Sequence, residues 1–454
     1  MRDLPSTLDV VVIGAGAAGI GAGHALARLG LSTAILEARA RVGGRAHTDL
    51  DSLGVAWDRG CHWFHTADRN PLRVLADRLG HAYERETGRP PAIATFMDGR
   101  WSFGGAVREA VWNALDHVSA EGAKGRDVAA ADLLDRSDPL GPLIRHWFAL
   151  MTSREPEQIS AADFSRYDES HVNLPVSGGY GALIARIAAN LPIALGVVAH
   201  RVSIGTGDDP VVVDTDQGTV KAKACIIAVP SRILAEKRLR LEPSLPDWLE
   251  RALTAVPMGH YEKVALLFDK PIAAPQPVRY LDIFDPVSSQ TSPLNFEISP
   301  FGRPIAIAHL AGDQARDMAA AGEEEMIAFT INTLARAFGE GIRGHVRKAV
   351  VTDWGKSPFT LGGYSCALPG EADQRRQFSR PVNERVFLAG EYQSEHGFAT
   401  CHGAYISGID AAQRVAETLG RAGLAPDPLW LAPGALSSSG LTPAERARAM
   451  EGMR

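Results

Sequence analysis

The segment DVVVIGAGAAGIGAGHALARLGLSTAILEARARVGGRAHT, residues 9–48, constrains this chain more than any other. An apolar, β-branched run from Val10 to Ile13 breaks at Gly14 and gives way to an Ala-rich stretch with helical spacing, which reads as strand, tight turn and helix. The turn has the spacing G-x-G-x-x-G. Gly14 allows the bend, Gly16 lets backbone approach a pyrophosphate, and Gly19 lets the helix pack closely on the strand. The helix N-terminus then offers free N–H donors and a positive dipole end. A second apolar run, STAILE, ends in Glu37, about twenty residues past the loop, where an acid can accept hydrogen bonds from a ribose. A lone glycine triplet would be only a flexible turn. With a strand before it, a helix after it and the acid in place, it specifies an adenine dinucleotide, without separating NAD from FAD.

At 454 residues the chain exceeds one simple core, so two domains are expected. The net charge of −6 comes with no basic patch, which argues against nucleic acid as a partner and biases the protein only slightly toward cationic ligands. Cys61, Cys225, Cys366 and Cys401 are scattered without a C-x-x-C pair, so neither a disulfide framework nor a zinc site is expected. The one apolar N-terminal run is the glycine-interrupted strand itself, so no signal peptide or membrane span is expected and a soluble, cytoplasmic protein is.

Character alternates along the chain. After the nucleotide unit, DRGCHWFHTADRNPLRVLADRLG ends with helical apolar spacing, and residues 80–177 are mixed and partly helical. LIARIAANLPIALGVVAHRVSIG returns to helix and short strands, and VVVDTDQGTVKAKACIIAVP reads as a hairpin turning at Gln217-Gly218 into a buried strand. KVALLFD, PIAIAHL and the helix EEEMIAFTINTLARAF follow; RVFLAGE is again a buried strand, and CHGAYISGIDAAQRVAETL a helix. The fold class expected is α/β (α+β): a Rossmann-like nucleotide domain built from 1–77, 178–253 and 357–420, interleaved with a mixed-sheet and helical substrate domain from 78–177 and 254–356. The Pro, Ala and Ser-rich tail 421–454, with one short capped helix at Thr442, is expected to be peripheral.

Seven blocks in order, VVIGAGAAGIGAGHAL, LEARARVGGR, GCHWFHTADRNPL, SGGYGALI, AVPMGHYEKVALLFD, WGKSPFTLGGYS and VFLAGEYQSEHGFATCHGAYISG, give nearly the whole chain a resemblance to the flavin-containing amine oxidases, which include monoamine and polyamine oxidases. The resemblance implies FAD. It places Glu37 on the adenosine ribose, Arg39, Gly43, Gly44 and Arg45 along the pyrophosphate, and the Val202 backbone at the adenine. Gly390 and Glu391 match the second dinucleotide motif, Ala399 and Thr400 open a helix aimed at the flavin N1 edge, and Trp354 and Phe398 wall the flavin. Lys263 matches the family lysine that holds a water against flavin N5. An ammonium inside an apolar strand needs such a reason.

The departures matter as much. Monoamine oxidases attach flavin through a cysteine in a GGCY motif, whereas this chain reads LGGYS with Gly363 in that place, so a noncovalent FAD is expected. Of the two tyrosines that flank the substrate in those enzymes, Tyr364 matches the first, but Thr400 stands at the second. GCHWFHTADRNPL is more similar to the polyamine oxidases, with Trp63 and with His65 in the place of the active-site histidine, followed by Thr66 where glycine is usual. A His62-x-x-His65 metal pair lacks further ligands, so no metal is expected. Asp168 and Glu169 are the candidate carboxylates for remote cationic nitrogens of a diamine. The implied reaction takes a hydride from a primary or secondary amine, with dioxygen as acceptor, hydrogen peroxide as product, and room for a homodimer. Two alternatives stay open: an L-amino-acid oxidase or related monooxygenase, with Arg145, Arg166 or Arg279 holding a carboxylate, and a non-oxidising flavin scaffold.

Overall fold

A computed structural model describes residues 8–85, 92–207, 209–285, 292–421 and 429. The first strand, Leu8–Ile13, has Gly218–Ile227 parallel to it on one side and Thr33–Glu37 on the other, with Ile193–Leu195 beyond. Val386–Leu388 runs parallel to the C-terminal end of Gly218–Ile227, and antiparallel Val211–Thr215 and Ala199–Ser203 continue from its N-terminal end to Arg240–Glu242. Val10 and Val12 point into one core with Ala22, Leu26 and Ile409, while Val11 and Ile13 point into another with Val213 and Leu234. Both faces of the sheet are thus covered, which is why its central strand reads as an unbroken apolar run.

The glycine turn works as its spacing requires. Gly14 has φ +104°, and a Cβ on it would meet the Ala228 carbonyl oxygen at 2.8 Å. A Cβ on Gly19 would lie 1.8 Å from the Gly14 oxygen, so the helix Ala17–Arg28 can approach its strand only without one. The last helix, Cys401–Thr418, lies along this first helix at the same close range: a Cβ on Gly408 would sit 1.8 Å from the Ala18 oxygen.

A second sheet of seven strands runs in the order Val346–Val351, Tyr261–Phe268, Ile305–Ala311, Leu294–Ile298, Tyr280–Phe284, Ile93–Met97, Arg100–Phe103. All its pairings are antiparallel except Tyr280–Phe284 with Ile93–Met97. Val264, Leu266 and Phe268 pack in one core with Met326 and Leu334 of the helix Glu323–Phe338, whose first turn carries Glu323, Glu324 and Glu325 against the positive dipole end. The helices Ala106–Ala123, Gly141–Thr152 and Ala161–Ser165 pack together, in one core with Phe284 and with Gly141–Thr152 against Ile305–Ala311.

Two local expectations shift. The hairpin turns at Asp216-Gln217, and Gly218, at φ +119°, already begins the second strand. The last helix starts at Cys401: Thr400 is its cap, accepting from the Gly403 N–H at 3.0 Å, and Ala399 precedes it at φ +61°. The helix expected at Thr442 lies outside the described residues; of the tail, Leu429 is buried, with Arg78 donating to its carbonyl at 3.4 Å.

Candidate active site

One continuous cavity of about 1520 Å³ runs from the glycine turn to the seven-stranded sheet. That exceeds the roughly 300–1,000 Å³ of an ordinary small-molecule pocket, leaving room for a dinucleotide and a second ligand end to end.

Its nucleotide end is lined by Gly14, Gly16, Glu37, Arg39, Gly43 and Gly44. A Cβ on Gly16 would meet no protein atom within 4 Å, so the glycine opens onto space a ligand can fill. The first helix begins there with no side-chain cap, which leaves its N-terminal N–H groups for an anion. Glu37 is buried, its carboxylate fixed by the Ala15 N–H at 2.8 Å and the Arg39 N–H at 2.9 Å. The Arg39 guanidinium donates to Ser357 and Thr360 at 2.6 and 2.7 Å, tying the loop from the second sheet to the nucleotide end. Val202 corrects the sequence reading. It is fully buried between Val213 and Leu241 and does not line the cavity; the strand's register shifts between Ala199 and Arg201, and Val197, Val198, Ala199 and His200 form that wall instead.

At the middle of the cavity Arg45 donates to the Gly363 carbonyl at 2.5 Å and to Glu391 at 3.0 Å. Glu391 is buried and also accepts from the Ser365 hydroxyl at 2.8 Å and the Ala399 N–H at 3.0 Å, so its carboxylate holds three chain segments together at the cavity wall. Gly390, Ala399, Thr400, Phe398 and Trp354 line the same region. Trp354 is carried there by a loop that Glu262 fixes, accepting from the Trp354 and Gly355 N–H groups at 3.0 and 2.8 Å.

Glu262 can do so because it faces away from the cavity while its neighbours Tyr261 and Lys263 face in. Lys263 is 1% exposed. Its Nζ donates to the Gly60 and Asp58 carbonyls at 2.6 and 3.1 Å and lies 2.8 Å from His62 Nδ1. Burial lowers the ammonium to about 8, with the Asp58 and Glu297 charges opposing the shift. Tyr364 lines the cavity and donates to the Leu150 carbonyl. The aromatic partner missing at Thr400 is supplied from elsewhere: Tyr261 stands 5.5 Å from Tyr364, ring centre to ring centre, at 42°. Sequence reasoning missed it, although a tyrosine two residues before a buried lysine on a strand must share its face.

The far end is lined by Trp63, Trp112, Trp147, Tyr167 and Tyr280. His65 reaches it and bonds Asn173 at 2.7 Å; His62 turns instead toward Lys263, so the two histidines do not converge. Glu169 lines the cavity, held by the His171 N–H at 2.6 Å. Asp168 does not, and this is a second correction: its carboxylate pairs with Arg69 at 2.5 Å outside the cavity, as adjacent residues on an extended loop diverge. Glu84, missed in sequence, joins Glu169 on the wall. Of the arginines considered for a carboxylate, Arg145 and Arg166 lie outside, paired with Glu157 and Asp373 at 2.7 and 2.6 Å; Arg279 lines the cavity but is paired with Glu297 at 2.7 Å.

A doubly covered nucleotide sheet, an open glycine turn and a buried lysine where the cavity passes to the second sheet define a dinucleotide-dependent oxidoreductase. The chain belongs to the flavin-containing amine oxidoreductases: the model of that family matches residues 17–102 and 120–416. Among its relatives, polyamine oxidase 4 of Oryza sativa subsp. japonica is 29% identical over 451 residues, covering 90% of this chain and 89% of the relative. Probable polyamine oxidase 4 of Arabidopsis thaliana is 28% identical (89% and 86% covered), and polyamine oxidase 5 of rice 30% (89% and 87%). A solved structure of a putrescine oxidase redesigned in its cofactor binding superposes with TM-score 0.74 at 21% identity, over 91% of this chain and 99% of the other, and shares the fold. The protein is an FAD-dependent amine oxidase that holds its cofactor without a covalent bond, and Gly363 offers no side chain for one. Among the described residues no helix is long and apolar enough to cross a membrane.

Proposed function

We propose that the protein oxidises a di- or polyamine, binding a remote ammonium at Glu169, with Glu84 beside it held by Arg279 at 3.3 Å, while the reacting nitrogen lies between Tyr261 and Tyr364. The observation that carries this reading is the charge balance of the wall. The cations Arg85, Arg108 and Arg279 each have a carboxylate partner, Asp77, Asp282 and Glu297, at 2.7, 2.9 and 2.7 Å. Glu169 has only neutral donors, the His171 N–H and Asn173. The aromatic wall of the substrate end thus carries one carboxylate, Glu169, that no side-chain cation among the described residues neutralises, which suits a substrate with a second cation. The names of the polyamine oxidase relatives and of the putrescine oxidase agree with that class.

FAD, when bound, supplies the acceptor for a hydride from the amine α-carbon. The chain's own residues do the rest. The apolar, aromatic walls strip water from the reacting nitrogen and so favour its neutral form. Tyr261 and Tyr364 orient it, and Lys263 holds a proton at Nζ at the junction of the two ends. Gly16, Glu37, Arg39, Gly43, Gly44 and Arg45 would hold the dinucleotide, and Ala399 and Thr400 would bring the last helix's positive end to the ring. Dioxygen takes the electrons to give hydrogen peroxide, and water hydrolyses the imine. Four free cysteines suit a reducing, cytoplasmic setting.

The test is anaerobic bleaching of the bound flavin by putrescine, spermidine, spermine, benzylamine, tyramine and L-amino acids. Di- or polyamines should bleach it, and Glu169→Gln should raise their apparent dissociation constant roughly 10-fold, the 1–2 kcal/mol of one partly exposed charge-assisted contact, while leaving benzylamine unchanged. Bleaching by amino acids alone would end the reading.

A further inference from the structure

Behind Lys263 the wall contains a second group of ionisable side chains that the hydride chemistry does not use. His62 Nδ1 lies 2.8 Å from the Lys263 ammonium. Facing a group that has only donors, Nδ1 must accept, which puts the ring proton on Nε2. Nε2 lies 3.1 Å from Glu297 Oε2, and Glu297 is anchored by Arg279 at 2.7 and 2.8 Å. On the far side His62 and Glu297 line a separate void of about 10 Å³, about the space of one water, together with Asp58, Thr48 and Arg303. The half-buried Arg303 leads on from it, donating to the Ser177 carbonyl at 2.9 Å. Lys263 and His62 therefore stand in line between the main cavity and a second, water-sized space, with the buried Nε2 at the end of the line close to Glu297 but making no hydrogen bond of its own.

We propose that His62 is the proton-relay partner of Lys263, carrying a proton between Nζ and the void behind Glu297, so that the lysine changes charge without water entering the main cavity. The transfer balances. One proton leaves Nζ for Nδ1, one leaves Nε2 for a hydroxide ion or water molecule in the void, and the ring ends neutral in its other tautomer; the return takes a proton from hydronium or water there and reverses both steps.

The charged and titratable groups around the ring are Lys263 from Tyr261–Phe268, His309 from the adjacent Ile305–Ala311, Glu297 from Leu294–Ile298 beyond it, Arg279 from the segment before Tyr280, and Asp58 and Cys61 from the loop that carries the ring. Burial and the Lys263 charge together lower His62 to about 4; once Nζ gives up its proton that repulsion is gone, and Glu297 remains to hold the imidazolium. Against burial, which alone would raise it, His62 and Arg279 keep Glu297 below the ordinary carboxyl range and therefore charged. Ligand atoms of His62, Glu297 and His309 lie within 4.8 Å of one another, a spacing a metal ion could use. Lys263 and Arg279, however, set two cationic groups directly against those ligands, which favours a mobile proton over a divalent cation.

The relay rests on the amine oxidase reading for its purpose but not on any substrate, and its test uses none. The oxidised holoenzyme is jumped in a stopped-flow instrument from about pH 7 to about pH 9, across the Lys263 value, while the visible band of the bound flavin is followed. Wild type should show a spectral shift that Lys263→Met abolishes. His62→Gln keeps an acceptor for the lysine but cannot pass a proton, so the shift should keep its amplitude and slow on the order of 10²-fold, with free imidazole restoring the rate to His62→Ala. Glu297→Asp, which keeps the carboxylate, should slow it less than His62→Gln. An unchanged rate in His62→Gln, a rate in His62→Ala that imidazole does not restore, or no spectral shift in wild type would each overturn the proposal. None of these outcomes bears on the bleaching panel, so the two readings fail separately.

Discussion

Gly16 and Gly19 lie three residues apart in one turn, yet alanine should act on them in opposite ways. At Gly19 the new Cβ would sit 1.8 Å from the Gly14 carbonyl oxygen and 3.0 Å from its carbon. Both neighbours are backbone, so relief requires the helix Ala17–Arg28 to move off its strand, in a region where Val10, Val12 and Ile20 are fully buried. Overpacking of that kind costs about 1–3 kcal/mol, and more where backbone has to yield. At Gly16 the same atom would meet nothing within 4 Å, and φ there is −73°, which alanine adopts freely. The cost to the protein alone is then about 1 kcal/mol or less, that of an exposed cap position. If that space is where the pyrophosphate lies, the methyl group displaces it and the FAD dissociation constant should rise at least about 10-fold, or 1.4 kcal/mol. Thermal unfolding of the deflavinated proteins and titration with FAD separate the two effects. The reasoning is refuted if Gly16→Ala binds FAD as tightly as wild type, or if it unfolds as early as Gly19→Ala.

Asp163→Asn should destabilise the protein by about 3–5 kcal/mol, because Arg375 is fully buried and bonded to Asp163 at 2.6 and 2.8 Å and would be left an uncompensated charge; a Tm within a degree of wild type would contradict this. Acid should also destabilise it. Burial lowers His24, the first helix's histidine, to about 4, so the folded state stays neutral while the unfolded state takes up a proton below its ordinary value of 6.5; stability present above that pH is lost as pH falls toward 4, by about 2 kcal/mol at pH 5 for this residue. Buried His146, also lowered to about 4 by burial, adds to the same loss, and His24→Gln should flatten the fall of Tm between about pH 7 and pH 5. Lys263→Met removes the donor from the Asp58 and Gly60 carbonyls and should slow flavin reduction by amine, reoxidation by oxygen, or both, by about 10-fold or more; equal single-turnover rates in both half-reactions would refute a role for the lysine.

The parts of the fold legible in sequence are those where local chemistry and burial agree. The glycine turn, the acid ending the second strand and the apolar alternation of KVALLFD each state a backbone geometry directly. The lysine stood out because a charge in an apolar strand needs partners, and the three it has are all within 3.1 Å. What was not legible depends on strand register. His309 lies opposite Lys263 and Asn295 opposite His309, so one row of polar groups crosses three strands drawn from separated segments. Within LNFEI the alternation of Asn295 and Glu297 with apolar neighbours does mark a polar face, but nothing local says which strand it will join. Val202 and Asp168 show the same limit: the sequence reading put both near the cavity, and the structure lines it with their neighbours, Val197 to His200 and Glu169.

The close packing of the first and last helices has a consequence for how the protein is made. Gly21 and Gly408 each face backbone of the opposite helix so closely that a Cβ would lie 2.2 Å from the Tyr405 oxygen and 1.8 Å from the Ala18 oxygen, and the strand Val386–Leu388 pairs in the sheet they cover. The glycine turn is made before the surface it packs on, which lies almost 400 residues behind it in the chain. Contacts of such separation form late and slowly. Until residue 401 and its helix arrive, the nascent chain lacks the helix that covers the Ala and Gly face of its first one, and FAD can act as a folding ligand only after that helix has emerged.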